Sequence, residues 1–210
     1  MNNVNAFNIF PTHVYCTEKL DFLNIVNIIS DTNLNEIKKN KKIDDVYPFF
    51  MSQNFFSDPR LFEFCKFITD TSLDILDEQG YYTENIETKV TEMWTQEHHK
   101  TSGMDYHTHG YGTLFVGFYF LDVPENSSSV IFHDPRPGKV QINLFEKNTQ
   151  TYSAASLGAV FEPKPGLMLF SNSWLPHSFS RHSSNIPMKF VHFSVSIEHK
   201  SVVEMPVEIV

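Results

Sequence analysis

Hydrophobic positions change their period near residue 86, and that change organises the chain. In "TEKLDFLNIVNIISD", Leu20, Leu23, Ile25, Val26, Ile28 and Ile29 recur at spacings that form one apolar helical face, with Thr17 as the expected N-cap. "SDPRLFEFCKFITDTSLDILDEQG" predicts a second helix: Ser57 or Asp58 caps it, Pro59 stands in the first turn, and Gly80 ends it. Leu61, Phe64, Cys65, Ile68, Leu73 and Leu76 make its buried stripe. From Ile86 the texture becomes alternating or short and apolar. "IETKVTEMWTQE", "TLFVGFYFLDV", "SVIFHD", "KVQINLF", "GAVFEP", "GLMLFSN" and "MKFVHFSVSIEH" read as strands, separated by "PENSSS", "DPRPG" and "PKPG". Helices first and strands after, with no βαβ alternation, predict an α+β, mainly β domain built on a sandwich or barrel. No repeat or linker divides it. One domain over 1–210 is expected, with a helical layer at about 17–80 and a β core at about 86–209.

Composition sharpens this reading in two ways. The 210 residues include 20 Phe, bulky filling for the inner faces of a sandwich or barrel. The net charge of −9 supplies no positive field for a phosphate backbone, and "KKNKK" at 38–42 reads as a solvated helix end. Cys16 and Cys65 stand far apart, without metal spacing, and fit a reducing compartment. No apolar run reaches the roughly 18–20 residues of a membrane span, and "MNNVNAFNIFPTHVY" lacks the basic start and apolar block of a signal peptide. A cytoplasmic protein with neither nucleic-acid nor membrane partners is expected.

The candidate chemistry lies in the ten histidines. His107 and His109 are two apart at the entry to an apolar strand, so in extended backbone both project to one side, and Gly110 and Gly112 leave room beside them. His177, after the strand 167–170, is the candidate third partner. A close pair on one strand end with a distant His is how a double-stranded β-helix holds a metal, and imidazoles suit Fe, Zn, Cu or Ni. The plainer alternative is a His107 bonded to a turn and a His109 in solvent. His98 and His99 are adjacent and read as surface residues. His182, His192 and His199 read as structural, with Val191 and Phe193 on the strand face opposite His192.

Five ordered blocks add a resemblance. "IFPTHVY", "HTHGYGTLFVGFYFLDVPENSSSVIFHDPR" and "PGLMLFSNSWLPHSF" resemble the 2-oxoglutarate- and Fe(II)-dependent oxygenases common in marine phages and bacteria, relatives of the prolyl 4-hydroxylases. The likeness covers most of residues 8–197. It implies a double-stranded β-helix (jelly-roll, cupin-like) core, with Fe(II) on His107, His109 and His177, and 2-oxoglutarate and O2 as cosubstrates. It also implies a basic anchor for the far carboxylate of 2-oxoglutarate, placed on Lys189 in "PMKFVHFSVS". The chain departs from the pattern at Val116-Gly117, at "FYFL", at "FSNSW" and at Val191, where a small polar residue is usual. The usual facial triad contains one carboxylate. Asp134 in "FHDPR" could supply it in place of His109, which leaves Arg136 as a candidate partner of a substrate or structural carboxylate; Arg181 also stays open as a ligand contact. The implied activity is hydroxylation of a C–H bond on a peptide, an amino-acid side chain or a small molecule. Two other readings remain open: a three-His metalloenzyme that does not use 2-oxoglutarate, and a binding module without turnover.

Overall fold

The computed structural model describes residues 5–200. Strand β1 (Val14–Glu18) leads through a single 3₁₀ turn into helix α1 (Leu23–Asn40). Thr17 is therefore no N-cap. It lies in β1, paired with Met168, because this stretch gains a full ladder of backbone hydrogen bonds by adding to a sheet edge. After β2 (Phe49–Met51) comes α2 (Phe62–Glu78), preceded by a 3₁₀ turn in which the Asp58 carboxylate accepts the Arg60 N–H. Gly80, at φ +89°, ends it as expected.

The remaining strands are β3 (Ile86–His98), β4 (Met104–His107), β5 (Phe115–Asp122), β6 (Val130–His133), β7 (Gly158–Phe161), β8 (Leu167–Asn172), β9 (His177–Phe179) and β10 (Met188–His199). "KVQINLF" forms no strand; part of it is a 3₁₀ turn at Pro137–Gln141. The strands make two antiparallel sheets, in the orders β1-β8-β5-β10-β3-β2 and β4-β9-β6-β7. This is a jelly roll.

The larger sheet is covered on both faces. Phe115, Tyr119, Leu121, Val191, Phe193 and Val195 face the helices and meet Ile29, Phe64 and Ile68. Phe118, Phe120, Leu169 and Phe190 face the smaller sheet, where Val130, Phe132 and Phe179 meet them. Burial on both sides explains the unbroken apolar run of β5, in which each buried Phe contributes about 1.5–3 kcal/mol. It also explains Gly117: a Cβ there would lie 2.1 Å from the Phe193 ring and 2.5 Å from the Leu169 carbonyl oxygen. No helix among the described residues is long and apolar enough to cross a membrane.

Candidate metal centre

The sandwich brings three histidines to one of its ends. His107 closes β4 directly opposite His177, the first residue of β9. His109 follows two residues on, its backbone N–H donating to the Ser173 carbonyl at 3.0 Å. Ring centroids are 4.4 Å apart for His107–His177, 5.3 Å for His107–His109 and 5.2 Å for His109–His177. One nitrogen from each ring lies within 4.8 Å of the other two.

Local hydrogen bonds select the tautomer. Nδ1 of His107 lies 2.7 Å from the Asp105 carbonyl oxygen, and Nδ1 of His177 lies 3.0 Å from that of Leu175. A carbonyl can only accept, so each Nδ1 carries the proton and each Nε2 presents a lone pair. Nε2 of His177 and Nε2 of His109 are buried without any partner. Burial first, with the neighbouring His107 adding to it, holds both imidazoles down at about 4, although the bond to Leu175 partly offsets this in His177, so both are neutral near pH 7. Buried polar atoms are ordinarily hydrogen-bonded. Lone pairs converging without partners are what a divalent cation requires, and imidazole ligands suit Fe, Zn, Cu or Ni.

A fourth histidine joins them. His192 is 1% exposed, with neither ring nitrogen hydrogen-bonded. It stacks between Trp94 at 4.2 Å and His109 at 4.8 Å, while Phe118 packs edge-on 5.4 Å from both His177 and His192. The Trp94 indole nitrogen and the Ser171 hydroxyl are also buried and unpartnered at this end of the sandwich. His192 had read as structural because its strand neighbours face elsewhere. That alternation is correct, but the face it leaves to His192 is the one that looks onto the histidines.

The same alternation corrects Lys189. Lys189 shares its face with Val191 and Phe193, towards the helices, and its ammonium pairs with Asp31 of α1 at 2.5 Å and Asp122 of β5 at 2.8 Å. It lies three positions from His192, an odd offset, so its side chain leaves the sheet on the opposite side. Lys189 is a clamp between helix and sheet, and Val191 is helix-side core.

Asp134 is not among the clustered groups either. Its carboxylate accepts from the Arg136 backbone N–H at 3.0 Å, Nε at 2.9 Å and Nη2 at 2.7 Å, with Lys139 3.7 Å away. These partners, the guanidinium first, hold it below the usual carboxylate range. Arg181 donates to the Thr101 carbonyl instead of approaching the histidines. His98, expected at the surface, is fully buried and bonded to Gln96; His182 is a structural histidine, bonded to the Ile186 carbonyl.

Residues 92–190 match the family model described as "Putative 2OG-Fe(II) oxygenase". Over that stretch the chain is similar to the 2OG-Fe(II) oxygenases. Solved structures agree at the level of fold. A prolyl-4-hydroxylase from Pseudomonas putida superposes with a TM-score of 0.59 at 8% identity, covering 88% of this chain and 93% of its own. AviO1 from Streptomyces viridochromogenes Tue57 gives 0.61 at 9% identity, covering 88% and 90%. HygX from Streptomyces hygroscopicus, solved with nickel, 2-oxoglutarate and hygromycin B bound, gives 0.55 at 12% identity, covering 88% and 83%. A sequence search among curated proteins finds no match. The family that this model describes uses Fe(II) and 2-oxoglutarate, and one end of this chain's jelly roll gathers three histidines that could hold a metal ion.

Proposed function

We propose that this protein is a 2-oxoglutarate-dependent oxygenase that hydroxylates a C–H bond, with Fe(II) held by His107, His109 and His177. The single observation that carries the reading is the set of inward, unpartnered ring nitrogens, two of them on rings locked by Nδ1–H···O=C bonds. When bound, the iron and 2-oxoglutarate supply the oxidation: substrate C–H, O2 and 2-oxoglutarate become C–OH, succinate and CO2. The likeness to a prolyl-4-hydroxylase supports hydroxylation as the outcome.

The protein's own part is placement. His107 and His177 are pinned opposite each other across the β4–β9 ladder, and His109 is fixed through the Ser173 carbonyl. With Lys189 turned to the helices and the Ser194 hydroxyl donating to Glu92 at 3.3 Å, the inner face of β10 offers His192 to the far carboxylate of 2-oxoglutarate as N–H donor. Phe118 and Phe132 wall the histidines and exclude water, which strengthens every polar contact inside.

The test is an anaerobic titration of the purified protein with Fe(II) and 2-oxoglutarate. A weak charge-transfer band near ~500–530 nm is expected for chelated cosubstrate on iron. It should vanish in His177→Ala and need more 2-oxoglutarate in His192→Ala. Bound iron without the band would refute the 2-oxoglutarate reading and favour a three-His metalloenzyme of another kind.

A further inference from the structure

Where the outer strands β1 and β7 of the two sheets part, a cleft of about 300 Å³ lies beside the histidines. Its inner wall is Phe132, whose ring stands 5.9 Å from that of His177, and Leu175, whose carbonyl orients His177. Ala159, opposite Phe132 in the β6–β7 ladder, adds a small side chain to this lining. The apolar end of the cleft therefore meets the metal centre through Phe132 and Leu175, with none of the three clustered histidines in its lining.

The outer end is polar and already braced. Lys139 donates to the carbonyls of Ala154 and Ser156 and lies beside Asp134, and the Tyr152 hydroxyl donates to the Val160 carbonyl. These bonds fix the wall on that side. Arg136 keeps a charged edge free. Nε and Nη2 are spent on Asp134, which holds the guanidinium plane, while Nη1 makes no hydrogen bond to any described residue. Phe10, also in the lining, sits at φ +57° and is 91% exposed. A bulky residue in the left-handed region carries a strain cost, and such strain gathers at ligand clamps.

We propose that this cleft is the substrate site and that it selects a small organic acid. The substrate's apolar part lies on Phe132 and Leu175 beside His177, and its carboxylate takes the free edge of the Arg136 guanidinium beneath Phe10. A cleft of this volume is at the lower end of ligand pockets, which favours a small free acid over a folded chain. An Arg held in plane by one carboxylate keeps a directed donor edge for another. The inference rests on the proposed placement of iron at His177.

The probe is phenylacetate, compared with its neutral isostere phenylacetamide, followed by ligand-observed NMR on the full chain without metal. Phenylacetate should bind at least about tenfold more tightly than the amide, the scale of one charge-assisted contact. Arg136→Gln should abolish that preference, Arg136→Lys should restore part of it, and Ala159→Leu should weaken both ligands. Saturating 2-oxoglutarate should displace neither. Equal binding of acid and amide would overturn the proposal, and so would displacement by 2-oxoglutarate, which would place the acid in the cosubstrate's seat. Adding Mn(II) separates the two readings. Selective broadening of the bound ring protons places the apolar end by the metal, whereas a manganese-loaded protein that leaves them sharp would overturn the placement. Failure of Mn(II) to bind would count against the iron reading, and the acid–amide comparison would still decide the cleft.

Discussion

Replacing Lys189 with Met separates a structural lysine from a ligand-binding one. The ammonium is 7% exposed, and its two partners, Asp31 and Asp122, are 57% and 52% exposed. Burial alone would lower the Lys189 pKa, but the two carboxylates outweigh it and the net shift is upward. Because both aspartates reach water, the variant leaves them solvated rather than stranded, and the loss falls below that for a fully buried pair. We expect about 1–2 kcal/mol of destabilisation, equivalent to roughly 2–8 °C in Tm for a domain of this size. The folded pKa lies above the unfolded value of about 10.4, so this contribution is fully present below that value and is lost as pH rises through the folded pKa. The gap between wild type and Lys189→Met in urea denaturation should therefore hold from pH 7 to 9 and narrow above it. Over the same range, 2-oxoglutarate affinity should change less than about twofold, since no differential contact is lost. A Lys189→Met protein of undiminished stability with 2-oxoglutarate affinity down tenfold or more would refute the argument and return the anchor to Lys189.

Gly117→Ala should lower stability by about 1–3 kcal/mol, the cost of overpacking, because the added Cβ meets the Leu169 backbone oxygen as well as the Phe193 ring; chemical denaturation checks this. His192→Ala should raise the 2-oxoglutarate requirement about tenfold or more, the loss of one hydrogen bond to a charged group, with Fe(II) stoichiometry unchanged by metal analysis. His107→Ala and His177→Ala should each abolish stoichiometric iron binding, whereas Asp134→Asn should retain it, since Asp134 is engaged by Arg136 and Lys139. Chelator treatment of the iron-loaded protein should release the metal without unfolding it, because the two apolar cores do not include the histidines; circular dichroism and metal analysis follow this together.

Much of the fold was legible because it rests on period and punctuation. The apolar stripe of α2, its Asp58 and Gly80 boundaries and the short strands after residue 86 follow from local rules. Thr17 and "KVQINLF" did not, since local pattern cannot say whether a stretch will find a sheet edge to join. The H-x-H pair could be read because two residues of one strand end share a side, and His177 because it follows a short apolar strand and a polar break. His98 shows the limit: adjacent histidines on a strand do face opposite ways, but one of those ways led into the interior of the sandwich.

Lys189 points away from the histidines for a reason internal to strand geometry. Choosing the basic residue by its distance from His177 treated β10 as a line, whereas a strand has two faces, and in this sheet both are buried. Burial therefore could not say which face held the chemistry, and Lys189, being charged, drew the assignment. Parity could have decided it. Val191 and Phe193 were already recognised as facing away from His192, and Lys189 differs from both by an even number. Had the histidine cluster been taken as fixing the inner face, His192 and Ser194 would have been the polar side chains of that face, and Lys189 would have required partners among the helices, where Asp31 waits. The general consequence concerns any sheet covered on both sides. There, a polar residue's chemistry follows from its parity with a known site residue before it follows from its type.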